Sequence, residues 1–189
     1  LAAAADALRR GRFVLVLVPS RVLMEQWHGR LTAWLPHARI GRLGDTLHDQ
    51  PEDCDVLIAT RHSAAAHKPV PPDDGPGLLI ADECHGLGGG ILRRALLPQY
   101  EERLGLTATL ERSDDAVTDL LLPFFGGICH RYRFGDAIAD GVCDVAVVKT
   151  RSIDSVATCT AVSKPKLTVV LSRSLSIVLG TPMTRSPAS

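Results

Sequence analysis

Short runs of consecutive apolar residues recur along the chain. The first run, Phe13–Val18, is rich in β-branched residues and lies between Gly11 and Pro19. Similar runs follow at residues 56–59 and 78–81, and residues 104–107 and 142–148 are further strand candidates. A continuous apolar run bounded by turn-forming residues is typical of a strand that is buried on both faces. The pattern therefore predicts a largely parallel sheet.

The clearest helical periodicity follows the first of these runs. Ser20 can cap a helix in which four large apolar residues recur at spacings of three and four. These residues are Leu23, Trp27, Leu31 and Trp34. We expect the whole stripe, including both tryptophans, to face the core.

Three other segments predict helices. Residues 1–10 are rich in alanine and end at Gly11, a residue type that commonly terminates helices. Residues 91–103 predict a helix disturbed at Pro98, and residues 116–122 predict another. Strands that alternate with helices imply βαβ units, so we expect a three-layer α/β domain with helices on both faces of a parallel sheet.

The character of the chain changes at about Thr150. Residues 150–189 are rich in serine and threonine, nearly free of acidic residues and without helical periodicity. Residues 167–171 and 175–179 are candidate strands. A linker, a divergent segment and a sequence translated from a wrong reading frame all remain open. We therefore predict a domain at residues 1–149, followed by an unassigned tail or linker.

Composition adds constraints on the class of protein. Hydrophobic residues make up 46% of the chain and charged residues 22%, which is typical of a domain with a packed core. The 21 basic and 21 acidic residues give a formal net charge of zero, so a polyanionic partner would need a local basic patch. Five scattered cysteines fit a reducing compartment, and no apolar run is long enough to span a bilayer. We expect a cytoplasmic protein without a membrane partner.

Two adjacent carboxylates carry the strongest chemical signal. Asp82 and Glu83 directly follow the apolar run at residues 78–81. In open α/β sheets, ligands bind at the carboxyl ends of the strands. An aspartate there can hold Mg²⁺ through water, and a neighbouring glutamate can orient or deprotonate an attacking water molecule. For two charges alone, a solvated strand end without function is the competing interpretation.

Hydroxyl and basic residues follow the other predicted strands. They are Ser20 and Arg21, Thr60 and Arg61, and Thr107 and Thr109. Hydroxyl groups can donate hydrogen bonds to a carboxylate or to water, and loop amides with arginines can meet phosphates. These strand ends are therefore candidate parts of one phosphate-binding edge.

Four segments resemble, in order, motifs Ia, Ib, II and III of the superfamily 2 helicases and translocases. They are residues 18–27, residues 58–63, the box Asp82-Glu83-Cys84-His85, and residues 106–109. The box is similar to a DEAH-type Walker B motif. Residues 124–127, 132–134 and 136–141 resemble the end of the same domain. The likeness covers residues 1–149, and its branch looks like the one that holds type III restriction motor subunits and related DNA repair helicases.

The resemblance implies the first RecA-like domain of an enzyme that hydrolyses ATP with Mg²⁺. It implies that Asp82 binds Mg²⁺ and that Glu83 activates the hydrolytic water, so that both residues line the ATP site. It further implies that His85 belongs to the catalytic set and contacts the nucleotide site or relays its state, and that Thr107 and Thr109 couple this site to nucleic acid.

The resemblance also implies a nucleic-acid partner, which we expect to be DNA; the motifs alone do not distinguish DNA from RNA. It places Ser20, Arg21, Thr60 and Arg61 near the phosphate backbone of one strand. Without the resemblance, both arginines would be expected to be solvated surface charges. The tryptophans are assigned to the core and not to base stacking.

One element of the family pattern is absent from the sequence. No G-x-x-x-x-G-K-[ST] phosphate-binding loop occurs in the 189 residues, which begin with Leu1. We expect this loop to lie just upstream of Leu1, so that the chain is a truncated fragment. We also expect a second RecA-like domain as its partner in the parent protein. Without the loop, the isolated chain is expected to have negligible ATPase activity.

Two other interpretations remain. The first is a degenerate, non-hydrolysing nucleic-acid-binding module that kept the fold and lost the phosphate-binding loop. The second is an unrelated α/β hydrolase or binding domain, although neither G-x-S-x-G nor G-x-G-x-x-G occurs in the sequence.

Overall fold

The computed structural model describes residues 1–107, 117–132 and 167–172. The strands in these ranges are β1 Phe13–Val18, β2 Ile40–Gly44, β3 Leu47–His48, β4 Val56–Thr60, β5 Gly77–Asp82, β6 Glu102–Thr107, β7 Ile128–Tyr132 and β8 Leu167–Ser172. The α-helices are α1 Ala2–Arg9, α2 Arg21–Trp34, α3 Arg61–His67 and α4 Leu122–Phe125. Short 3-10 helices cover Pro51–Asp53, Pro72–Asp74, Cys84–Leu87 and Gly90–Ala95, and Val117–Leu121 forms a π-helical turn.

The strands form one sheet in the order β3-β2-β4-β1-β5-β6-β8-β7. The five strands from β2 to β6 in this order run parallel to one another. β3 runs antiparallel to β2, and β8 runs antiparallel to both β6 and β7. All six residues of β1 are buried, because neighbouring strands and helices on both faces enclose it. The predicted, largely parallel sheet is confirmed.

Alternate residues of β1 point into two separate cores. Val14 and Val16 belong to the core on the α1 and α2 face, which contains Ala4 of α1 and Met24 of α2. Leu15 and Leu17 belong to the other core, which contains Ala64 of α3 and Phe125 of α4. Helices therefore cover both faces of the sheet, and the expected three-layer RecA-like α/β fold is confirmed.

The prediction of a helix at residues 91–103 is wrong. A 3-10 helix ends at Ala95, and β6 already begins at Glu102. Pro98 has no backbone N–H to donate to a helix. Tyr100 is fully buried beside it, and its hydroxyl donates to the carbonyl oxygen of Pro69 at 3.0 Å. This tertiary contact fixes an extended segment where the local pattern indicated a helix.

The predicted orientation of Trp34 is also wrong. Its side chain is 66% exposed, whereas Met24 and Leu31 of the same helix are fully buried. Met24 and Leu31 lie seven positions apart and define the buried line of α2. Trp27 and Trp34 each follow one of them by three positions, which places both tryptophans about 60° away from this line. Trp34 is the last residue of the helix, and it lies largely in solvent.

The remaining predicted elements have mixed outcomes. The helical prediction at residues 116–122 corresponds to the π-helical turn Val117–Leu121 and the start of α4. The candidate strand at residues 167–171 is confirmed as β8, which lies between β6 and β7. The candidate strands at residues 142–148 and 175–179 lie outside the described residues. The domain boundary at residue 149 stays a prediction.

Candidate functional site

The register of the parallel strands brings the predicted strand-end residues to one edge of the sheet. Val18 at the end of β1 pairs with Thr60 at the end of β4. Leu17 pairs with Ala81, and Asp82 at the end of β5 pairs with Leu106 of β6. The loops after β1, β4, β5 and β6 therefore start side by side. Thr109 lies outside the described residues. So do the segments beyond residue 132 that carry part of the family resemblance.

Asp82 is half-buried at the end of β5. The indole Nε1 of Trp27 donates a hydrogen bond to its Oδ2 at 2.9 Å. Within the described part of the chain, no residue donates a hydrogen bond to Oδ1 of this carboxylate. Trp27 packs against the core as predicted, but it is only half-buried, and its polar edge reaches the candidate site. The sequence pattern of α2 did not predict this second role.

Glu83 has an unusual backbone conformation. Its φ of 51° lies in the left-handed region, which costs a non-glycine residue about 1 kcal/mol. Its Oε2 atom is buried and forms no hydrogen bond within the described structure. The imidazole Nδ1 of His85 lies 3.2 Å from this oxygen, in a position without hydrogen-bond geometry. A strained backbone and an unsatisfied buried oxygen are typical of functional sites.

His85 joins the carboxylate box to β6. Its Nδ1 lies 2.9 Å from the Oγ1 atom of Thr107, a residue that is 1% exposed. The same nitrogen therefore faces both the Glu83 carboxylate and the hydroxyl at the end of β6. Whether this nitrogen donates to the Thr107 hydroxyl or accepts from it depends on the tautomer of the ring. The structure thus brings His85 and Thr107 together.

Cys84 packs the box against β6. Its side chain is fully buried, and burial raises the pKa of its thiol to about 12. The thiol packs against Gly105 of β6, where a Cβ atom would lie only 3.0 Å from Sγ. The neutral thiol acts here as a small apolar group, and it fixes the turn that carries Glu83 and His85 against the neighbouring strand.

Arg61, the first residue of α3, lies across the turn that follows the box. Its guanidinium occupies the space where a Cβ atom of Gly86 would stand. Burial lowers the pKa of Arg61, whereas the negative charges of Glu83 and Asp82 oppose this effect. Within the described residues, this guanidinium forms no hydrogen bond or ion pair. It is therefore a half-buried positive charge close to both carboxylates.

The hydroxyl groups near this edge serve as helix caps. Ser20 Oγ accepts a hydrogen bond from the amide of Leu23 at 3.4 Å, as the sequence predicted. Thr60 Oγ1 accepts one from the amide of Ser63 at 3.2 Å and donates to the Ser63 hydroxyl at 2.9 Å. The caps set the first turns of α2 and α3 at the same edge as the carboxylates.

Arg21 forms an ion pair with Asp45, whose carboxylate lies 2.8 Å from Nη1. Both side chains are exposed, so the pair stabilises the fold by less than about 1 kcal/mol. The guanidinium is accordingly free to exchange Asp45 for another anion at little cost.

Comparison with known proteins identifies the family. Residues 1–112 match the family described as type III restriction enzyme, res subunit, and these residues are more than half of the chain. The chain belongs to this family. The resemblance to the first RecA-like domain of superfamily 2 helicases is thereby confirmed.

Curated relatives of this res-subunit family member carry helicase names. A protein of Halobacterium salinarum named as a DNA 3'-5' helicase, Rad25, is 40% identical over 115 residues, which cover 58% of the chain and 18% of that protein. The general transcription and DNA repair factor IIH helicase/translocase subunit XPB of Danio rerio is 34% identical over 120 residues, which cover 56% of the chain and 15% of that protein. The chain spans less than a fifth of the length of these relatives.

A cavity of about 830 Å³ is lined by Phe13, Trp34, Arg39, Asp55 and Pro76, among others. It lies at the amino-terminal edge of the sheet, away from the carboxylates. Among the described helices, none is both long enough and apolar enough to traverse a bilayer.

Proposed function

We propose that the chain is part of the first RecA-like domain of an ATP-dependent DNA helicase or translocase. In this proposal it carries the carboxylates that act in ATP hydrolysis and the loops that contact one DNA strand. The observation that supports it most directly is the meeting of Asp82, Glu83, His85 and Thr107 at the carboxyl edge of β5 and β6. Ligands of open α/β sheets bind at this edge, and the family match supports the choice of ATP.

The donor groups at this edge fit a magnesium ion. Mg²⁺ is usually held by one or two carboxylates together with waters and phosphate oxygens. Oδ1 of Asp82 can bind such an ion, because Trp27 donates its hydrogen bond to Oδ2. Glu83, the next residue along the chain, adds a second carboxylate at this edge of the sheet. When bound, the ion would supply positive charge next to the phosphates of ATP.

The residues of the chain then have distinct roles in the proposed reaction. Asp82 holds the ion. Glu83 orients the attacking water and accepts its proton. His85 and Thr107 form the contact between the box and β6. Thr109, which lies outside the described residues, stays a proposed member of the same coupling element.

The nucleic-acid contacts are assigned to the loops after β1 and β4. Ser20 and Arg21 start α2, and Thr60 and Arg61 start α3, at neighbouring positions of one edge. The exposed pair between Arg21 and Asp45 leaves this arginine available to a phosphate. DNA is proposed as the partner because the relatives' names refer to DNA. A second RecA-like domain of a longer protein is proposed to complete the ATP site.

Binding of a fluorescent ATP analogue tests the proposed nucleotide site. The purified chain is titrated with the analogue in the presence and absence of Mg²⁺, next to Asp82→Ala and the control Asp45→Ala. Mg²⁺-dependent binding that Asp82→Ala abolishes and Asp45→Ala retains supports the proposal. A folded chain that binds the analogue equally well with Asp82→Ala contradicts it. Turnover of ATP is expected to be negligible, because the sequence has no phosphate-binding loop.

A second candidate for these 189 residues, which contain no phosphate-binding loop, is a non-hydrolysing nucleic-acid-binding module. Fluorescence anisotropy with a labelled single-stranded DNA separates the two candidates. Binding of DNA without any Mg²⁺-dependent binding of the ATP analogue favours the module. Binding of both ligands favours the motor domain.

A further inference from the structure

We propose that Trp27 is a positioning residue for the Asp82 carboxylate and that its indole senses whether a divalent cation occupies that carboxylate. The inference rests on the proposed function, because it assigns the cation to Asp82. It adds a residue of α2 that the sequence pattern placed only in the core.

The contact between the two residues is well defined. The indole Nε1 donates to Oδ2 of Asp82 at 2.9 Å, across 55 positions of sequence. An indole nitrogen can only donate, so an oxygen of the Asp82 carboxyl group is a suitable partner for it. Hydrogen bonds to ionised groups are stronger than neutral ones, particularly where the groups are partly shielded from water. The position of Oδ2 is thereby fixed, and the direction of Oδ1 is fixed with it.

The packing of Trp27 makes this contact rigid. Its ring is half-buried against the core on the α1 and α2 face, where Met24 of the same helix is fully buried. A carboxylate held by a packed indole loses its rotational freedom before the cation arrives. Groups that orient a metal ligand in this way typically change metal affinity by about tenfold or more when they are removed.

The position of Trp27 in α2 gives the contact a second consequence. Arg21, which is proposed to meet a DNA phosphate, is the first residue of this helix. Trp27 follows six positions later, about 9 Å along the axis. A displacement of α2 on DNA binding would therefore move the donor of the Asp82 hydrogen bond. The helix links the proposed DNA contact to the proposed cation ligand through one side chain.

The first experiment reads the hydrogen bond without any cation. The chain has two tryptophans, so Trp34→Phe leaves Trp27 as the single indole. The ¹H–¹⁵N indole resonance is compared between Trp34→Phe and Trp34→Phe/Asp82→Ala in metal-free buffer. We expect the resonance of Trp27 to move upfield and its exchange protection to fall when the carboxylate is removed. An unchanged resonance overturns the inference, whether or not a cation binds.

The second experiment measures the cation itself. Free Mn²⁺ is followed by electron paramagnetic resonance during titration of the full chain, which does not depend on tryptophan signals. We expect Trp27→Phe to weaken Mn²⁺ binding about tenfold, Asp82→Ala to abolish it and the control Trp34→Phe to leave it unchanged. In Trp34→Phe, the indole resonance is expected to shift with saturable Mg²⁺ addition.

The two experiments separate failure of the inference from failure of the proposed function. Mn²⁺ binding that requires Asp82 but is equal in Trp27→Phe and the parent chain overturns the positioning role and leaves the cation site standing. An indole that responds to Asp82→Ala, in a chain that binds no Mn²⁺, overturns the sensing role together with the proposed cation site. Weakened binding in Trp27→Phe together with both indole responses supports the inference.

Discussion

The guanidinium of Arg10 holds both carboxylate oxygens of Glu102, with Nη1 2.5 Å from Oε1 and Nη2 2.8 Å from Oε2. The two residues lie 92 positions apart, after the end of α1 and at the start of β6. Glu102 is only 6% exposed, and Arg12 adds a second cation 3.3 Å from Oε1. The hydrogen bond to Glu102 raises the pKa of Arg10. This pair connects the first helix to the strand that carries Thr107.

Arg10→Met is expected to lower the free energy of unfolding by about 2 kcal/mol. The variant leaves a largely buried carboxylate with a single remaining cation, and such losses are costly. Urea unfolding followed by circular dichroism measures the change. The control is Arg9→Met, whose side chain is 76% exposed and, among the described residues, pairs with Asp6 alone. The control should change stability by less than about 0.5 kcal/mol. Equal effects of both variants would contradict the importance of the buried pair.

Gly86→Ala is expected to displace the Arg61 guanidinium without unfolding the chain. The added methyl group would overlap with Nη1 of Arg61, and a long side chain can move away at small cost. We expect binding of single-stranded DNA to weaken about fivefold, which corresponds to one lost charged contact of about 1 kcal/mol.

Gly89→Ala is the matched control for this prediction, because nothing lies within 4 Å of a Cβ atom at Gly89. Fluorescence anisotropy with labelled DNA gives the affinities, and thermal unfolding verifies the fold. If Gly86→Ala binds DNA as tightly as Gly89→Ala, the present position of Arg61 has no part in DNA binding.

Gly105→Ala and Gly29→Ala are expected to have opposite effects on stability. A Cβ atom at Gly105 would lie 3.0 Å from the Cys84 thiol and 3.3 Å from the Phe125 ring, inside a packed core. We expect a loss of about 1–3 kcal/mol. At Gly29 in α2 the space is open, and alanine should gain up to about 1 kcal/mol through its helix propensity. Urea unfolding of both variants measures the signs, and a stabilising Gly105→Ala would disprove tight packing at the box.

The ion pair between Arg39 and Asp55 predicts a pH dependence of stability. The side-chain hydrogen bond from Arg39 lowers the pKa of Asp55 in the folded chain. The stabilisation by this ion pair is therefore complete above the pKa of Asp55 in the unfolded chain, which is about 4. It is lost as the pH falls through the lower pKa that Asp55 has in the folded chain. The asparagine side chain in Asp55→Asn does not titrate. The difference in unfolding free energy between the parent chain and Asp55→Asn should shrink from pH 7 to about pH 3, and a constant difference would refute this assignment.

The central strands could be predicted because their residues are buried on both faces. β1, β4 and β5 are largely continuous apolar runs between turn-forming residues, and such short runs are typical of buried strands. β2 was missed, since Ile40–Gly44 contains two glycines and an arginine and shows no strand pattern. The helix predicted near Tyr100 was wrong because a tertiary contact of that ring outweighed the local pattern.

The candidate site was predictable to a similar extent. Asp82 and Glu83 come at the end of a recognisable apolar strand, so the sequence predicted that both lie at the carboxyl edge of the sheet. The contact of Trp27 with Asp82 could not be predicted, because it depends on how α2 is rotated against the sheet. The position of Arg61 over Gly86 depends in the same way on the path of the turn after the box.

β3 has only two residues and runs antiparallel to the outermost parallel strand, β2. Open sheet edges recruit strands from other molecules, which leads to aggregation and domain swapping. A two-residue edge offers an incoming strand too few backbone partners for stable pairing. This side of the sheet is therefore protected against self-association by the brevity of its last strand, and lengthening β3 with further β-forming residues would remove that protection.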